Sequence, residues 1–444
     1  MSLPSPQPAT EEPTIAELLA ARPHLTMHAM DGLALESVPL NAIADALGTP
    51  TWVYGAGTMR ARYRALAGAL ATAGLDAGLH YAMKANDHLA ILRLFALEGA
   101  GADVVSAGEI RRALKAGIPP AHIVFSGVGK SASDLRLALE HGIGQINVES
   151  AEELEMLSTL AASESKTVGI ALRINPDVDA ETHAKITTGR ARDKFGIPWA
   201  DAAALYARAA SLPGIQPIGL AMHIGSQVLS LAPFRAAYAR IAGLVTDLRA
   251  AGHAVTTVDC GGGLGIPYGD EPAPSPAGLA GALRSAFHNL DVRLELEPGR
   301  WLVGPAGVLL ASVVLHKQAG ATRFIVLDAA MNDLVRPAMY DAWHGIVPVA
   351  AADAVAPTTQ ADIVGPVCES GDTFARSRKL PSLRQNARVA ILDAGAYGSV
   401  MSSTYNARPL AAEALVDGDR WSVIRDRQPV EALWQAERIP DFLA

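Results

Sequence analysis

Cysteine, lysine and long apolar runs are all scarce in this chain of 444 residues. The two cysteines, Cys260 and Cys368, are too few for a disulfide framework or a four-cysteine metal site. The longest apolar run, residues 301–315, is too short to span a bilayer and is broken by glycine and proline. No basic residue precedes Arg22, so we expect no secretory signal, no membrane association and a cytoplasmic location.

The chain also lacks a large excess of charge of one sign. The chain carries 37 basic and 45 acidic side chains without clusters of lysine or arginine, so we expect no nucleic-acid partner. Hydrophobic residues make up 50% of the chain and charged residues 18%, which is enough apolar material for a large core. Disorder is expected only in an N-terminal tail, residues 1–24, which opens with proline and serine.

Beyond residue 45, short β-leaning runs alternate with stretches that suit helices. Ser106 and Glu109, and again Ser150 and Glu153, have the spacing of a capping box directly after a predicted strand. Eight strands alternating with helices predict a (β/α)8 barrel over residues 45–300. The predicted strands are Leu79–Met83, Asp103–Ser106, Ile123–Ser126, Gln145–Val148, Gly169–Ile174, Gly219–Ile224, Thr256–Asp259 and Arg293–Leu296.

The pattern changes after the last of these strands. Residues 301–444 contain apolar runs set among glycine and proline turns, without regular intervening helices, and predict a β-rich C-terminal domain. The segment 25–44 is also strand-like, and we expect it to pair with that domain.

The active site of a barrel lies where its strands end, so the residues that follow each strand are the informative ones. Lys84 follows the first strand and is one of only eight lysines. A lysine desolvated at this mouth could form a Schiff base, although for a lysine taken alone a solvated side chain at a strand end is the commoner explanation. His223 lies at the end of the sixth strand, where a lone histidine is more often a satisfied core residue than part of a site.

Three consecutive glycines, Gly261, Gly262 and Gly263, follow the seventh strand, and Glu297-Pro-Gly299-Arg300 follows the eighth. The glycines could bring backbone N–H groups to a phosphate or could simply form a tight turn. Together, a lysine, a histidine, a glycine cradle and a Glu–Arg pair at one mouth are what a phosphorylated aldehyde cofactor requires. The spacings typical of metal sites in barrel hydrolases are missing, so we expect no metal.

Several motifs resemble a known family. Residues 81–86 (YAMKAN), 223–227 (HIGSQ), 261–269 (GGGLGIPYG) and 297–300 (EPGR), in this order, are similar to the fold-type III pyridoxal-phosphate decarboxylases. That resemblance implies an α/β barrel like that of alanine racemase, followed by a β-rich domain. The later motifs narrow the resemblance to the diaminopimelate decarboxylase family, and they are residues 331–344, 365–372, 393–398 and 405–408.

The resemblance implies a role for each matching residue. Lys84 resembles the Schiff-base lysine and His223 the ring stacked on the pyridine. The phosphate and ring nitrogen of pyridoxal 5'-phosphate are expected to contact Gly261, Gly262, Gly263, Glu297, Gly299, Arg300 and Tyr397. The substrate is expected to contact Arg300, Arg336, Tyr340, Glu369 and Tyr397. Cys368 resembles a proton donor that, like Glu369, enters the site from the other subunit of a homodimer.

The implied reaction is decarboxylation of meso-2,6-diaminopimelate to L-lysine and CO2, the last step of lysine biosynthesis, through imine and carbanion intermediates on the cofactor. The arginines suit this substrate because guanidinium groups can bind a remote carboxylate through two hydrogen bonds. Two alternatives remain. One is a decarboxylase of the same fold acting on another basic amino acid, such as D-lysine or D-ornithine, and the other is a non-catalytic homologue that binds the cofactor.

Overall fold

The computed structural model describes residues 12–180 and 194–443, and these form two compact units. The barrel unit comprises Met59–Ile266 and Pro272–Gly304. The β unit comprises the described residues up to Thr58, the short segment Pro267–Glu271, and the described residues from Pro305 onward.

The N-terminal part of the β unit begins with a short capped helix. Thr14 and Glu17 form a reciprocal capping box, and Leu18 is buried. The three strands that follow pair with one another in antiparallel fashion. The elements of this part are α1 (Ile15–Ala20), β1 (Leu25–His28), β2 (Gly32–Leu35), β3 (Val38–Pro39), α2 (Leu40–Leu47) and β4 (Thr51–Gly55).

Eight parallel strands close into a barrel, as the sequence predicts. Their residues are buried almost throughout, because helices cover the outside and side chains fill the inside. The strands are β5 (Ala77–Ala82), β6 (Gly101–Val104), β7 (Ile123–Phe125), β8 (Gln145–Val148), β9 (Val168–Arg173), β10 (Ile215–Ala221), β11 (Thr257–Asp259) and β12 (Arg293–Leu296).

Helices connect the barrel strands, and serine side chains begin several of them. Ser106 and Ser150 each accept the N–H of the third helical residue, as expected of a capping box. The glutamates Glu109 and Glu153, however, accept the N–H of the residue before the serine, so each box is only half formed. The helices are α3 (Ala56–Thr72), α4 (Leu89–Leu97), α5 (Ala107–Lys115), α6 (Ala132–His141), α7 (Ala151–Ser163), α8 (Ala202–Ser211), α9 (Leu231–Ala250), α10 (Pro276–Phe287) and α11 (Arg300–Val303).

The C-terminal residues of the β unit form the predicted β-rich domain. Its long central strand pairs with β4 on one side, and β4 in turn pairs with a strand near the C-terminus. The elements are β13 (Gly307–Ala319), β14 (Thr322–Leu327), α12 (Arg336–Tyr340), β15 (Ile346–Pro348), α13 (Ala351–Ala354), β16 (Thr358–Val364), β17 (Thr373–Pro381), β18 (Arg388–Ile391), β19 (Ala412–Asp417) and β20 (Arg420–Arg425).

Three details differ from the predicted domain boundaries. The predicted tail, residues 1–24, falls partly outside the described residues, and its residues 15–20 form helix α1 because Leu18 is buried against the core of the β unit. Segment 25–44 does contain strands, but they pair with each other, and Leu33 N donates to Val349 O at 2.7 Å. Strand β4, assigned from the sequence to the barrel, instead pairs with β13 and β19.

Among the helices that the structure describes, none combines the length and the apolar character needed to cross a membrane.

A buried ion pair lies inside the barrel between β5 and β12. His80 Nε2 is 2.8 Å from Glu295 Oε2, and His80 Nδ1 is 3.1 Å from the carbonyl oxygen of His122. Burial alone would lower the pKa of His80, but the hydrogen bond and charge of Glu295 outweigh it and raise the pKa above 6.5. Burial would raise the pKa of Glu295, but His80 and Arg293 outweigh it and lower the pKa below 4.5. Each partner therefore favours the charged form of the other.

This pair predicts a pH-dependent contribution to stability. The part due to His80 is complete below pH 6.5 and is lost as pH rises through its raised folded pKa, and the part due to Glu295 is complete above pH 4.5 and is lost as pH falls through its lowered pKa. Glu295→Gln should therefore lower the free energy of unfolding by about 1.5–3 kcal/mol near pH 6, and by less at pH 9. Urea unfolding at both pH values measures this difference.

A matched control is Glu155→Gln, which removes a half-exposed ion pair with Arg208. This variant should change the free energy of unfolding by less than about 1 kcal/mol at either pH. Equal losses for the two variants near pH 6 would contradict the assignment of an ionised buried pair.

Candidate active site

Lys84 lies in a single turn, Met83–Ala85, that directly follows β5 at the carboxyl end of the barrel. Its Nζ is 2.6 Å from Oδ2 of Asp103 on β6, whose side chain is fully buried. The other oxygen, Asp103 Oδ1, is buried and accepts no hydrogen bond within the described chain. The amine of Lys84 is thus positioned at the barrel mouth by a carboxylate whose second oxygen can still accept a hydrogen bond.

Glu297 follows β12 directly, and its carboxyl group is buried among polar side chains. Ser126 Oγ donates to Glu297 Oε1 at 3.2 Å, and Asn147 Nδ2 donates to the same oxygen at 3.5 Å. Burial, together with the charges of Asp103 and Asp259, raises the pKa of Glu297 well above 4.5. A cation beside this carboxyl group would offset that unfavourable environment, and a protonated ring nitrogen is such a cation.

His223 follows β10 and carries a neutral ring. Its Nδ1 accepts the N–H of Gly262 at 3.2 Å, so in the neutral ring the proton is on Nε2. Burial, and then the positive charges of Arg173 and Lys84, lower the pKa of His223 well below 6.5. A neutral, flat ring held at the barrel mouth is suited to stacking on an aromatic cofactor.

The three glycines after β11 lie so close to neighbouring backbone that no side chain fits. A Cβ on Gly262 would lie 2.1 Å from the carbonyl oxygen of Glu297, and one on Gly263 would lie 2.2 Å from that of Gly225. Gly261 and Gly263 also have φ values of 67° and 98°, in the region that favours glycine. Glycine is therefore required here by both space and backbone conformation.

The N–H groups of these glycines have different partners. Gly261 N–H donates to Asp259 Oδ1 at 2.9 Å, and Gly262 N–H donates to His223. In the part of the chain that the structure describes, Gly263 N–H meets no acceptor. Of the three predicted phosphate donors, Gly263 is thus the one whose N–H is available, and the other two shape the loop.

Substitution at Gly262 tests this cradle. Gly262→Ala places a methyl group against the Glu297 carbonyl, so the loop must shift, and we expect the affinity for pyridoxal phosphate to fall on the order of 100-fold. Titration of the cofactor-free protein by absorbance measures the affinity. The control is Gly281→Ala in helix α10, where an added Cβ meets nothing within 4 Å and affinity should be unchanged. Equal affinities for both variants would contradict the cradle.

The last two predicted residues of the barrel unit lie at the start of α11. A Cβ on Gly299 would lie 3.1 Å from the carbonyl oxygen of Ala82, so the turn packs tightly against the end of β5. Arg300 is buried, and its Nη2 donates to Ser226 Oγ at 3.1 Å. Lys84, His223, the three glycines, Glu297, Gly299 and Arg300 all belong to the carboxyl end of the barrel.

The other five predicted residues belong to the β unit. Arg336 begins α12 and is buried, and Tyr340 ends the same helix. Tyr397 lies in a loop after β18 and has a φ of 54°. Cys368 and Glu369 lie in the loop between β16 and β17, where the thiol of Cys368 is free and the residue is exposed.

The loop that carries Cys368 is well ordered by its own hydrogen bonds. Asp372 accepts the N–H groups of Met331 and Val367, each at 2.7 Å, and Cys368 N–H donates to Asn406 Oδ1 at 3.0 Å. The chain thus presents an exposed cysteine on a loop held by hydrogen bonds.

Sequence reasoning missed two carboxylates of the barrel mouth, Asp103 and Asp259. Asp259 is the last residue of its predicted strand, so the rule that strand ends carry function would have found it, whereas Asp103 begins the predicted strand Asp103–Ser106 and the same rule does not reach it. It also missed Asn147, whose Nδ2 donates to Asp259 Oδ2 at 2.8 Å. The signal available in the sequence was that Asn147 is a polar residue within the predicted strand Gln145–Val148.

Comparison with known proteins identifies the family to which the chain is similar. Residues 56–304 match the family model described as "Pyridoxal-dependent decarboxylase, pyridoxal binding domain". The chain is 51% identical to the diaminopimelate decarboxylase of Zymomonas mobilis subsp. mobilis over 414 residues, which are 93% of this chain and 98% of that protein. It is 47% identical to the diaminopimelate decarboxylase of Pseudomonas aeruginosa, across 92% of this chain and 97% of that protein.

Solved structures show the same likeness. The crystal structure of diaminopimelate decarboxylase from Helicobacter pylori complexed with L-lysine superposes with a TM-score of 0.86. That protein is 39% identical to this chain, and the match covers 90% of this chain and 99% of that one.

Proposed function

The chain belongs to the diaminopimelate decarboxylase family of pyridoxal-dependent enzymes, and from this premise we propose that it converts meso-2,6-diaminopimelate to L-lysine and CO2. This reaction is the last step of lysine biosynthesis. The observation that carries the proposal is the group formed by Lys84, His223, Gly263 and Glu297 at one end of the barrel, because each offers what one part of the cofactor requires.

The residues present fit pyridoxal 5'-phosphate. When bound, this cofactor supplies an electron-accepting ring that makes loss of CO2 from an amino acid possible. Lys84 offers the amine for its aldehyde, and Gly263 an N–H for its phosphate. Burial and the charges of Asp103 and Asp259 raise the pKa of Glu297 and outweigh the charge of Lys84, and a cationic ring nitrogen beside Glu297 would offset them. His223 would cover one face of the ring.

The substrate has two amino-acid ends, so one end must react while the other is recognised. We assign recognition of its carboxylates to Arg300, Arg336 and Tyr340, since buried guanidinium groups bind carboxylates strongly. Glu369 suits the ammonium group of the end that does not react. Cys368 has a thiol that can deliver a proton to the carbon that loses CO2. Tyr397 is assigned to the neighbourhood of the cofactor phosphate.

We further propose that the active enzyme is a homodimer in which Cys368 and Glu369 complete the site of the partner subunit. The exposure of Cys368 on an ordered loop supports this assignment, because a proton donor must be covered to act in a dry site. A cytoplasmic location remains a prediction from the sequence.

Mixing two inactive variants tests the shared site. Lys84→Ala and Cys368→Ala damage the same site from different chains, so a mixed dimer of the two keeps one intact site. After random exchange of subunits we expect about a quarter of the activity of the parent enzyme. No recovery of activity, in a mixture that mass photometry shows to be dimeric and exchanged, would contradict the proposal of a shared site.

Product analysis tests the proposed substrate against the alternatives. With cofactor present, meso-diaminopimelate should give L-lysine and CO2 in equal amounts, whereas D-lysine and L-ornithine should give less than about a hundredth of that rate. Faster release of CO2 from D-lysine or D-ornithine would favour a same-fold decarboxylase of a basic amino acid. Cofactor binding without CO2 release from any of these compounds would favour a non-catalytic homologue.

A further inference from the structure

Arg336 in α12 is fixed from two directions by residues that the sequence motifs do not assign. Its Nη1 is 3.0 Å from His344 Nε2, and its guanidinium carbon lies 4.7 Å from the centre of the Tyr268 ring. All three residues belong to the β unit. A hydrogen bond at one edge and an aromatic ring against one face together define the plane of the guanidinium group.

The hydrogen bonds of His344 define its protonation. His344 Nδ1 is 2.7 Å from the carbonyl oxygen of Leu392, which can only accept, so Nδ1 carries a proton. Arginine can only donate, so His344 Nε2 must accept from Arg336 Nη1 and carries none. His344 therefore holds Arg336 as a neutral ring.

Both supporting residues are themselves held in place. Arg22 Nη2 donates to the carbonyl oxygen of Tyr268 at 2.8 Å and also pairs with Asp393. Arg378 Nη1 donates to the carbonyl oxygen of His344 at 2.9 Å. The rings of Tyr268 and His344 pack edge to face, with centroids 5.0 Å apart. His344 is 1% exposed, so solvent does not compete for its Nε2.

We infer that His344, supported by Tyr268, is a positioning residue that orients Arg336 toward a carboxylate without neutralising its charge. A carboxylate in place of His344 would hold Arg336 equally well but would cancel the positive charge that the ligand needs. A neutral acceptor orients the guanidinium group without itself cancelling the positive charge that attracts the ligand. This inference rests on the proposed function, in which Arg336 binds the carboxylate at the end of diaminopimelate that does not react.

Two substitutions distinguish the roles of the two ring nitrogen atoms of His344. In His344→Gln the side-chain oxygen can take the place of Nε2 and accept from Arg336. In His344→Asn the shorter amide can replace only Nδ1 and leaves Arg336 without this acceptor. We expect His344→Asn to raise the KM for meso-diaminopimelate about 10- to 100-fold with little change in kcat, and His344→Gln to stay within about threefold of the parent enzyme.

Inhibition by two amines shows whether the effect acts through Arg336. L-Lysine keeps the carboxylate of the end that does not react, and cadaverine lacks it. The inhibition constant of L-lysine should rise about 10- to 100-fold in His344→Asn, while that of cadaverine should change less than about twofold. Tyr268→Leu should shift the ratio of the inhibition constants of L-lysine and cadaverine by about 2- to 5-fold, because the ring that packs against Arg336 is lost.

The control is His24→Gln, which alters another histidine of the β unit bonded to a backbone carbonyl, that of Pro305. This variant should leave the ratio of the two inhibition constants unchanged. Equal weakening of cadaverine and L-lysine binding in His344→Asn would overturn the inference. An inhibition constant for L-lysine that is unchanged in both His344→Asn and Tyr268→Leu would also overturn it. Failure of the proposed function looks different, since the parent enzyme itself would then neither decarboxylate diaminopimelate nor bind L-lysine.

Discussion

Replacing Lys84 with alanine is expected to lower kcat on the order of 10⁴-fold or more and to abolish the absorbance of the imine between this lysine and the bound cofactor. Lys84 offers the amine at the barrel mouth, and its ion pair with Asp103 places that amine at a fixed point. Without the amine, no covalent link to the cofactor aldehyde can form. The rate of CO2 release and the absorption spectrum, recorded on the same sample, measure both effects.

The control for this substitution is Lys115→Ala, at an exposed lysine in the last turn of α5. Both kcat and the absorption spectrum should match those of the parent enzyme. Turnover retained by Lys84→Ala, with the spectrum intact, would remove Lys84 from the proposed mechanism and leave the likeness to the family without its central residue.

Replacing Glu297 with glutamine is expected to lower kcat by about 10²- to 10³-fold, because a neutral amide cannot stabilise the positive charge of the ring nitrogen. The side chain keeps its size, so the hydrogen bond from Ser126 Oγ can persist and the fold should be maintained. Because the loss falls on the chemical step, we expect kcat to drop while the affinity for L-lysine changes little. Single-turnover measurement of CO2 release is the direct test.

The matched control is Glu295→Gln, the same substitution two residues earlier on β12. Glu295 pairs with His80 and Arg293 and contacts none of the predicted site residues in the described chain. Glu295→Gln should therefore lower stability and leave kcat per folded molecule unchanged. Equal losses of kcat in the two variants would show that Glu297 acts through the stability of the barrel and not on the cofactor.

Much of the barrel could be predicted from the sequence because its signals are local. Each predicted strand is a short β-leaning run, and the capping serines Ser106 and Ser150 mark the start of the next helix after two of them. The β unit was harder, because the sequence places the β4 segment within the predicted barrel range 45–300 without a strand signal, and its partners, β13 and β19, lie about 250 and 360 residues further along the chain. Pairing over such separations leaves no local trace.

The candidate site shows the same division. Lys84, Glu297 and the three glycines follow predicted strands, so their common location could be expected. The contacts that hold Arg336 could not be predicted, because Tyr268 and His344 are 76 residues apart in the sequence and meet only in the tertiary structure. The tautomer of His344 likewise depends on its contact with the carbonyl of Leu392, which no motif predicts.

The central claim is that this chain decarboxylates diaminopimelate through a cofactor held at the barrel mouth, and removal and return of the cofactor test it most directly. The protein is stripped of pyridoxal phosphate, and CO2 release from meso-diaminopimelate is recorded with the absorption spectrum while the cofactor is added back. We predict no release from the stripped protein, and release that rises in proportion to a near-visible band. CO2 release at full rate without the cofactor, or a complete band with no release, would contradict the claim.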